Sequence, residues 1–304
     1  MRFAYYRLDV FTEQKLAGNQ LAVVLEAERL SGDEMQAITR EFNLSETVFV
    51  TAPLDPANTA AVRIFTPGGE LPFAGHPTVG TGVLLAMLHA SDHMNGQGVT
   101  IALEERIGLV KVEVSQRPGR AARGVFGLPK LPERLDLALD AQAAAIALGV
   151  PLEAIGFDAH ELSAWSAGVP FVMVPLKNRE LVMQASVADM AAWRRAFGAT
   201  GKGAAYLYTR ETVAPEHQVH ARMFSPVMGI VEDPATGSAA AAFAGAAVAF
   251  EQPEDGLHQI VIEQGYEMGR PSQIVLDLDI EGGVLTGARV GGAAVVVASG
   301  TIEL

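Results

Sequence analysis

The sequence contains an internal repeat whose period is about half its length. Residues 63–67 (RIFTP) and 76–81 (HPTVGT) recur as residues 222–226 (RMFSP) and 233–238 (DPATGS). The first blocks lie 159 residues apart and the second blocks 157, so a single two-residue gap aligns them. A repeat of this length indicates a duplicated domain, because solenoid repeats have periods of about 20–50 residues. We therefore expect two similar halves.

Length and composition limit the class of protein. The chain has 304 residues, of which 49% are hydrophobic and 19% charged, so it has the length of about two globular domains and is not disordered. A formal net charge of −13 without a cluster of Lys and Arg argues against nucleic-acid binding. The absence of cysteine excludes disulfides, thiolate nucleophiles, zinc–thiolate sites and a racemase with two thiol bases.

The sequence shows no targeting or membrane-spanning segment. The first residues, MRFAYYRLDVF, lack the apolar run and the small-residue cleavage site of a signal peptide. The longest membrane-like stretch, residues 239–250, is too short and too rich in alanine to span a bilayer. We therefore expect a cytoplasmic protein that does not associate with a membrane.

Hydrophobic periodicity predicts an α+β chain. The predicted strands are residues 3–11, 21–25, 47–51, 60–65, 99–103, 108–115, 171–174, 204–208, 218–224, 259–264, 272–280 and 293–302, and the predicted helices are residues 31–42, 78–89, 138–148, 187–197 and 237–250. Ser31 or Asp33 is the predicted cap of the first helix. Residues 117–123 are the most linker-like segment. This predicts an N-terminal domain of residues 1–118, joined by a last strand at about 290–304, and a C-terminal domain of residues 119–289.

Two of the predicted helices are apolar on every face. They comprise residues 79–88 and 239–250, one in each half. A helix of this kind is typical of a position surrounded by protein. Because strands flank each helix, we expect each half to be a sheet curled around a central helix.

Both central helices follow a Pro-x-x-Gly-Thr/Ser step. The free N–H groups and the positive end of the helix dipole at such a start can bind an anion. Gly80 and Gly237 would let a ligand approach the backbone, while Thr81 and Ser238 would add hydroxyl donors. We expect these four residues to hold a carboxylate, with simple helix capping as the structural alternative.

Different titratable residues precede the two steps. His76 of the first half corresponds to Asp233 of the second. The helix field there is expected to lower the pKa of His76, to keep its imidazole neutral, and to favour a negative charge at Asp233. A third candidate, Glu46, follows Ser45 and precedes an apolar strand, and counting back from the repeated arginine gives Ala205 as its counterpart. This carboxyl group therefore exists in one half only.

Other common chemistries lack their motifs. The sequence has no phosphate-binding loop, no glycine-rich dinucleotide motif and no serine-hydrolase elbow. The remaining histidines have no mutual ligand spacing, so no metal site is predicted.

Five ordered motifs, together spanning nearly the whole chain, resemble the phenazine-biosynthesis isomerase-like (PhzF-like) family of the diaminopimelate epimerase fold. They are residues 9–12 (DVFT) with 18–19 and 22–24, residues 44–47 (LSET), residues 65–67 through 75–77, residues 232–234 through 237–238, and residues 269–272 (GRPS). The resemblance implies a duplicated two-domain fold, each half a mixed β-barrel around a central helix, with the active site in the cleft between the halves. It also implies a homodimer that needs neither cofactor nor metal.

The resemblance also implies roles for single residues. The family's isomerase moves a proton between carbons of a cyclic amino-diene acid, and its glutamate corresponds to Glu46. Its histidine, aspartate and serine, which bind the substrate and assist, correspond to His76, Asp233 and Ser238. The expected catalytic residues are thus Glu46, His76 and Asp233, and the expected substrate-binding residues are Ser45, Gly75, Gly80, Thr81, Gly237 and Ser238.

Two positions depart from the family pattern. Gln20 replaces the usual proline after Gly-Asn, and Ala240 stands where many members have histidine. The expected function is a cofactor-independent isomerase that transfers a proton on a small cyclic or amino carboxylate. Two alternatives remain open: a two-base epimerase with His76 and Asp233 on opposite faces of a stereocentre, and a non-catalytic protein that binds small molecules or a partner.

Overall fold

The computed structural model describes residues 1–94 and 98–304. Contacts divide the chain into a first unit of Met1–Gly127 with Gly291–Leu304, and a second unit of Leu128–Val290. The segment expected to be a linker, residues 117–123, lies within the first unit and does not separate the two. That each unit is a folding domain stays a prediction.

Strands and helices alternate along both units. In the first part of the chain they are β1 (Arg2–Val10), β2 (Asn19–Val24), α1 (Gly32–Phe42), β3 (Glu46–Thr51), β4 (Ala60–Thr66), β5 (Gly69–Leu71), α2 (Gly75–His89), β6 (Val99–Glu105), β7 (Gly108–Ser115) and β8 (Arg123–Gly127). In the remainder they are β9 (Glu133–Arg134), α3 (Ala141–Leu148), β10 (Ser163–Ser166), β11 (Pro170–Pro175), α4 (Arg179–Gln184), α5 (Met190–Phe197), β12 (Ala205–Thr209), β13 (Val219–Ser225), β14 (Ile230–Asp233), α6 (Gly237–Glu251), β15 (Gly256–Gln264), β16 (Ser272–Glu281) and β17 (Val284–Glu303).

Eight strands of the first unit form a closed ring. Backbone pairing runs from β17 through β1, β2, β3, β4, β6, β7 and β8, and β8 pairs with β17 again. The β2–β3 and β4–β6 pairs are parallel, and the β1–β2, β3–β4 and β6–β7 pairs are antiparallel. The first unit is therefore the mixed barrel that the sequence predicts.

The helix α2 is the centre of this ring. It packs against β1, β2, β3, β6, β7 and β8, and twelve of its fifteen residues are buried. Two of its glycines make the close approach possible. A Cβ atom on Gly80 would lie 2.6 Å from Leu21 Cδ2, and one on Gly82 would lie 2.8 Å from Val112 Cγ1. Any larger side chain at these positions would overlap the barrel wall.

The helix α1 covers the outside of the first barrel. Met35 and Ile38 of α1 pack with Phe49 and Phe65 of the wall strands. Ser31 caps α1 through a capping box, in which its hydroxyl oxygen accepts from the N–H of Glu34 and its own N–H donates to the Glu34 carboxylate. Of the two predicted caps, the structure therefore selects Ser31.

The second unit repeats the strand pairing of the first. The order β10–β11 antiparallel, β11–β12 parallel, β12–β13 and β13–β14 antiparallel, β13–β15 parallel and β15–β16 antiparallel reproduces that of β1 to β7. Its central helix, α6, packs against β9, β10, β11 and β16, and ten of its residues are buried. No helix within the described part of the chain is both long and apolar enough to cross a membrane.

The strand register changes one detail of the repeat. Arg63 lies opposite Phe49, and the matching Arg222 lies opposite Leu207. Glu46 precedes Phe49 by three positions, so its counterpart is Ala204 and not Ala205 as the count along the sequence predicted. The loop between β12 and β13 holds one more residue than the loop between β3 and β4, which shifts the count. The carboxyl group is still confined to the first unit.

Short elements are the main difference between the predicted and observed secondary structure. The strands β5, β8, β9, β10 and β14 and the helix α4 were not predicted, because they contain too few residues to show a period. The strand predicted at residues 293–302 is part of the twenty-residue β17.

Candidate functional site

Glu46 and His76 meet in the first unit. Glu46 is the first residue of β3, where the alternation of strand residues places it on the same face as Val48. Its Oε2 atom lies 3.5 Å from Nε2 of His76, and both side chains are largely shielded from solvent. The other ring nitrogen of His76, Nδ1, lies 3.4 Å from Nδ2 of Asn19. Two of the three predicted catalytic residues are therefore in direct contact.

The imidazole of His76 is neutral at physiological pH. Burial lowers its pKa to about 3, and a hydrogen bond with the backbone of Gln20 opposes this shift only in part. The expected direction of the shift is confirmed, but its main cause is desolvation and not the helix dipole. Because the ring carries no charge, the contact with Glu46 is not an ion pair, and its 3.5 Å length is too long for a strong hydrogen bond.

The structure corrects the predicted start of the first central helix. The helix α2 begins at Gly75, so His76 lies in its first turn and Pro77 is tolerated there, where N–H groups have no partner within the helix. Gly80 and Thr81 consequently lie in the second turn, where N–H groups donate to carbonyl oxygens one turn earlier. The prediction that Gly80 and Thr81 begin the helix is wrong, and ligand binding by their N–H groups is not favoured.

A constrained turn places Asn19 beside His76. Phe11 and Leu16 have positive φ angles of 62° and 67°, a conformation that costs energy for residues other than glycine. The carboxylate of Asp9 accepts a 2.6 Å hydrogen bond from the N–H of Leu16 and so closes the turn. Gly18 is also at positive φ, and a Cβ atom there would lie 2.4 Å from a backbone oxygen. These constraints fix the start of β2, which carries Asn19.

Asp233 ends β14 in the second unit. It is 7% exposed, and its Oδ2 atom accepts a 2.6 Å hydrogen bond from the hydroxyl of Thr236. The side chain of Gln264 holds the same turn: its Nε2 donates to the backbone oxygen of Asp233 at 2.7 Å and its Oε1 accepts from the N–H of Thr236 at 3.2 Å. The carboxylate is thus oriented from within its own unit.

The remaining predicted binding residues lie at element ends. Gly237 is the first residue of α6, as predicted, and Ser238 is the second, so their N–H groups belong to the first turn, where no intrahelical acceptor is available. Gly75 is the first residue of α2, and Ser45 is half-buried in the bend before β3. Their roles in binding stay predictions.

Each unit carries an arginine–glutamate pair next to its predicted site. Arg63 donates from Nε and Nη2 to the two carboxylate oxygens of Glu70, and Arg222 does the same with Glu232. Arg222 also donates from Nη1 to three backbone carbonyl oxygens, so its guanidinium group is enclosed. Glu232 directly precedes Asp233, and this pair therefore anchors the end of β14.

Sequence reasoning missed two residues that support the helix starts. Glu105 ends β6, is 8% exposed, and lies 2.7 Å from the hydroxyl of Thr78 in the first turn of α2. Gln264 ends β15 and contacts Thr236 in the matching place. They lie 159 residues apart, the same offset as Arg63 and Arg222. Extending the repeat along the sequence at that offset would have identified both.

The second unit also contains a buried pair of histidines. His217 Nδ1 and His220 Nδ1 each lie 2.7 Å from a different carboxylate oxygen of Glu263, and His220 Nε2 lies 2.9 Å from Glu267. Burial alone would lower the pKa of His220, but its hydrogen bonds with the two glutamates outweigh burial and raise it. In the part of the chain that the structure describes, no three such side chains are arranged to hold a metal ion. These histidines therefore form an ion-pair network.

Comparison with known proteins gives one consistent result. A family model described as phenazine biosynthesis-like protein (PhzC-PhzF) matches residues 8–300. An uncharacterised isomerase of Mesorhizobium japonicum is 50% identical over 301 residues, which cover 98% of each chain. The trans-2,3-dihydro-3-hydroxyanthranilate isomerase of Pseudomonas chlororaphis is 33% identical over 310 residues, 99% of each chain.

Solved structures give the same fold. A PhzF-family phenazine biosynthesis protein of Bacillus anthracis matches over the whole of both chains with a TM-score of 0.88 at 23% identity. An identity this low shows a shared α+β fold and does not carry over an activity.

Proposed function

The chain belongs to the phenazine biosynthesis-like (PhzF) family and is an isomerase, and from this premise we propose that it moves a proton between carbons of a small cyclic or amino carboxylate with Glu46 as the acid/base. The Glu46 carboxylate removes a proton from a carbon conjugated with the substrate carboxylate. The resulting carboxylic acid of Glu46 returns that proton to another carbon of the same conjugated system, and the double bond moves with it. The step consumes no oxidant or reductant, because one proton leaves and one proton returns.

The observation that carries this proposal is the contact between Glu46 and a histidine that is kept neutral. With a pKa of about 3, His76 would hold a proton at pH 7 only at a cost on the order of 5 kcal/mol. A group that resists protonation to this extent is a poor general base, since an efficient base has a pKa near the working pH. This supports Glu46 as the group that moves the proton and His76 as a neutral hydrogen-bonding partner.

The same reasoning weighs against the two-base epimerase. That mechanism needs His76 to accept a proton from a stereocentre, which its burial disfavours. We propose instead that His76 orients the substrate or the Glu46 carboxyl group, while Asp233 and Ser238 bind polar groups of the substrate. The first-turn N–H groups of Gly237 and Ser238 are suited to a carboxylate. Binding roles for Ser45 and Gly75, a homodimer and a cytoplasmic location are proposals that rest on the family resemblance.

The test is proton exchange with solvent. A panel of cyclic and amino carboxylates, beginning with the substrate named for the Pseudomonas relatives, is incubated with the protein in D₂O and followed by NMR. We expect one compound to be isomerised and to take up deuterium. We expect Glu46→Gln to slow this uptake by about 10²- to 10⁴-fold, the range for losing a general acid/base, while binding changes by a few-fold. Glu41→Gln, at an exposed position of α1, is the matched control and should behave as wild type.

Other outcomes would point to the alternatives. Uptake that persists in Glu46→Gln would remove Glu46 from its role. Inversion of a stereocentre that survives Glu46→Gln, and is lost on changing either His76 or Asp233, would support the two-base epimerase. A compound that protects the protein from thermal unfolding without exchange or product would support a binding protein.

A further inference from the structure

Glu105 is a buried acid that the proposed reaction does not use. It ends β6 with its Oε1 atom 2.7 Å from Oγ1 of Thr78. The same hydroxyl lies 2.8 Å from the backbone oxygen of Ala74, the residue before α2. A hydroxyl group has only one proton to donate, and a carbonyl oxygen can only accept. If the Thr78 hydroxyl donates to Ala74, it can also accept a proton from Glu105, provided that Glu105 is a neutral carboxylic acid.

An ionised Glu105 would break this arrangement. A carboxylate can only accept, so the Thr78 hydroxyl would have to turn towards Glu105 and leave the Ala74 oxygen without that donor. The neutral acid satisfies Glu105, Thr78 and Ala74 in one chain of hydrogen bonds. The contacts therefore select the protonated form of Glu105.

The duplicated unit contains the uncharged version of the same contact. Gln264 corresponds to Glu105 in the repeat, and both residues end the strand that runs parallel to the arginine-bearing strand of their unit. The Nε2 amide of Gln264 donates to Oγ1 of Thr236 at 3.1 Å. An amide has the shape of a protonated carboxyl group and, like it, offers one donor and one acceptor side. The second unit thus uses permanently the form that the contacts of Glu105 require.

We propose that Glu105 is a positioning residue for the isomerase reaction: as a neutral acid it donates to Thr78 and holds the first turn of α2, which carries His76, in place beside Glu46. The proposal rests on the proposed function through the roles given to His76 and Glu46. It makes activity depend on a proton that is never transferred to the substrate.

The surroundings of Glu105 suit a neutral acid. On the faces of the neighbouring strands that point the same way, β4 carries Val62 and Ile64, and β7 carries Val110 and Val112. Burial raises the pKa of Glu105 to about 7, while the Thr78 hydrogen bond lowers it by less.

The charged groups of the packed elements do not pair with Glu105. On α2 the nearest titratable group along the helix is the neutral His76. Arg63 of β4 and Arg106, next to Glu105 in the chain, both pair with Glu70. Lys111 and Glu113 of β7 lie on the exposed face. Glu105 therefore gains a proton rather than an ion-pair partner.

The test compares Glu105→Gln, which fixes the neutral form, with Glu105→Ala, which removes the donor. Glu113→Gln is the matched control on the exposed face of β7. We expect Glu105→Gln to keep the wild-type kcat within about threefold at pH 6 and to abolish the fall in kcat that wild type shows as pH rises past about 7. We expect Glu105→Ala to lower kcat by about 10- to 100-fold with KM within a few-fold, as for a misplaced catalytic group.

A second readout needs no substrate. In protein labelled with ¹⁵N-histidine, the ring signals of His76 should shift in wild type between pH 6 and pH 8.5, should be shifted at both pH values in Glu105→Ala, and should not move in Glu105→Gln. Failure to find any substrate would count against the proposed function but leave this readout intact. Equal losses of kcat in the Gln and Ala variants, or the same pH dependence of the His76 signals in wild type and Glu105→Gln, would overturn the role of Glu105.

Discussion

The starts of the two central helices solve the same structural problem with different chemical groups. In the first unit the helix begins one residue before His76, and the acid Glu105 supports its first turn through Thr78. In the second unit Asp233 stands before the helix, and the amide Gln264 supports the turn. The supporting residue can titrate in the first unit and cannot in the second. Duplication has thus preserved the geometry while the acid–base properties of the two copies diverged.

The arginine–glutamate pairs differ in a related way. Both are bidentate, but the side chain of Arg63 is 37% exposed and that of Arg222 only 8%. Glu70 has a second partner in Arg106, whereas Arg222 also serves three backbone carbonyl oxygens. The second unit therefore depends on its arginine for stability far more than the first does.

Removing the two arginines should give the largest difference between the units. Arg222→Met leaves Glu232 and three carbonyl oxygens buried without their donor, so we expect a loss of about 3–5 kcal/mol in the free energy of unfolding. Arg63→Met leaves Glu70 paired with Arg106 near the surface, and we expect a loss of about 1 kcal/mol. Urea unfolding of both variants measures this, with Arg222→Lys as the control that keeps the charge without the five donors. Equal losses would show that the two pairs are equivalent.

Exchanging the supporting residues should change how stability depends on pH. The folded-state pKa of Glu105, about 7, lies above its ordinary value of 4.5, so the folded protein binds this proton more tightly and loses stability as pH rises between these values. Between pH 5 and pH 8 this loss is about 3 kcal/mol in wild type and absent in Glu105→Gln. Gln264→Glu should introduce a similar loss in the second unit, because a carboxylate there would face the backbone oxygen of Asp233.

Unfolding free energies of wild type, Glu105→Gln and Gln264→Glu at pH 5 and pH 8 test this. A wild-type slope that Glu105→Gln leaves unchanged would mean that Glu105 is already ionised at pH 5.

The buried histidines of the two units should contribute with opposite sign. The folded-state pKa of His76 is lowered to about 3, so only the unfolded chain gains this proton as pH falls below 6.5, and stability decreases by about 2 kcal/mol between pH 6.5 and pH 5. The pKa of His220 is raised, so its contribution is present below pH 6.5 and is lost as pH rises through the folded-state value. NMR titration of the ring protons provides the check. A His76 that titrates near 6, or a His220 that titrates below 6, would reverse the assignment.

The duplication, the α+β class and the two central helices were predictable because each leaves a long signal in the sequence. The start of α2 was not, because Pro77 reads as a helix breaker, although proline is tolerated in a first turn. The counterpart of Glu46 was misplaced by one residue, since a loop length is not visible without strand register. These errors all concern positions that only backbone pairing defines.

The candidate site was predictable in its members but not in its contacts. Glu46, His76 and Asp233 were identified by their motifs, while the contact of His76 with Asn19 depends on a turn with positive φ angles at Phe11 and Leu16. No sequence pattern predicts such a conformation for residues of this type. The supporting pair Glu105 and Gln264 lay within reach of the repeat offset, but polar residues at strand ends are commonly exposed and attract no attention.

The central claim is that the carboxyl group that moves the proton belongs to the first unit alone. Its most direct test is the rate of deuterium uptake into one true substrate in D₂O by wild type, Glu46→Gln and Asp233→Asn at saturating substrate. We expect Glu46→Gln to lower the rate by about 10³-fold or more, and Asp233→Asn, which changes a binding group, to lower it by less than about 10²-fold. A loss for Asp233→Asn as large as that for Glu46→Gln would contradict the claim and place proton transfer in both units.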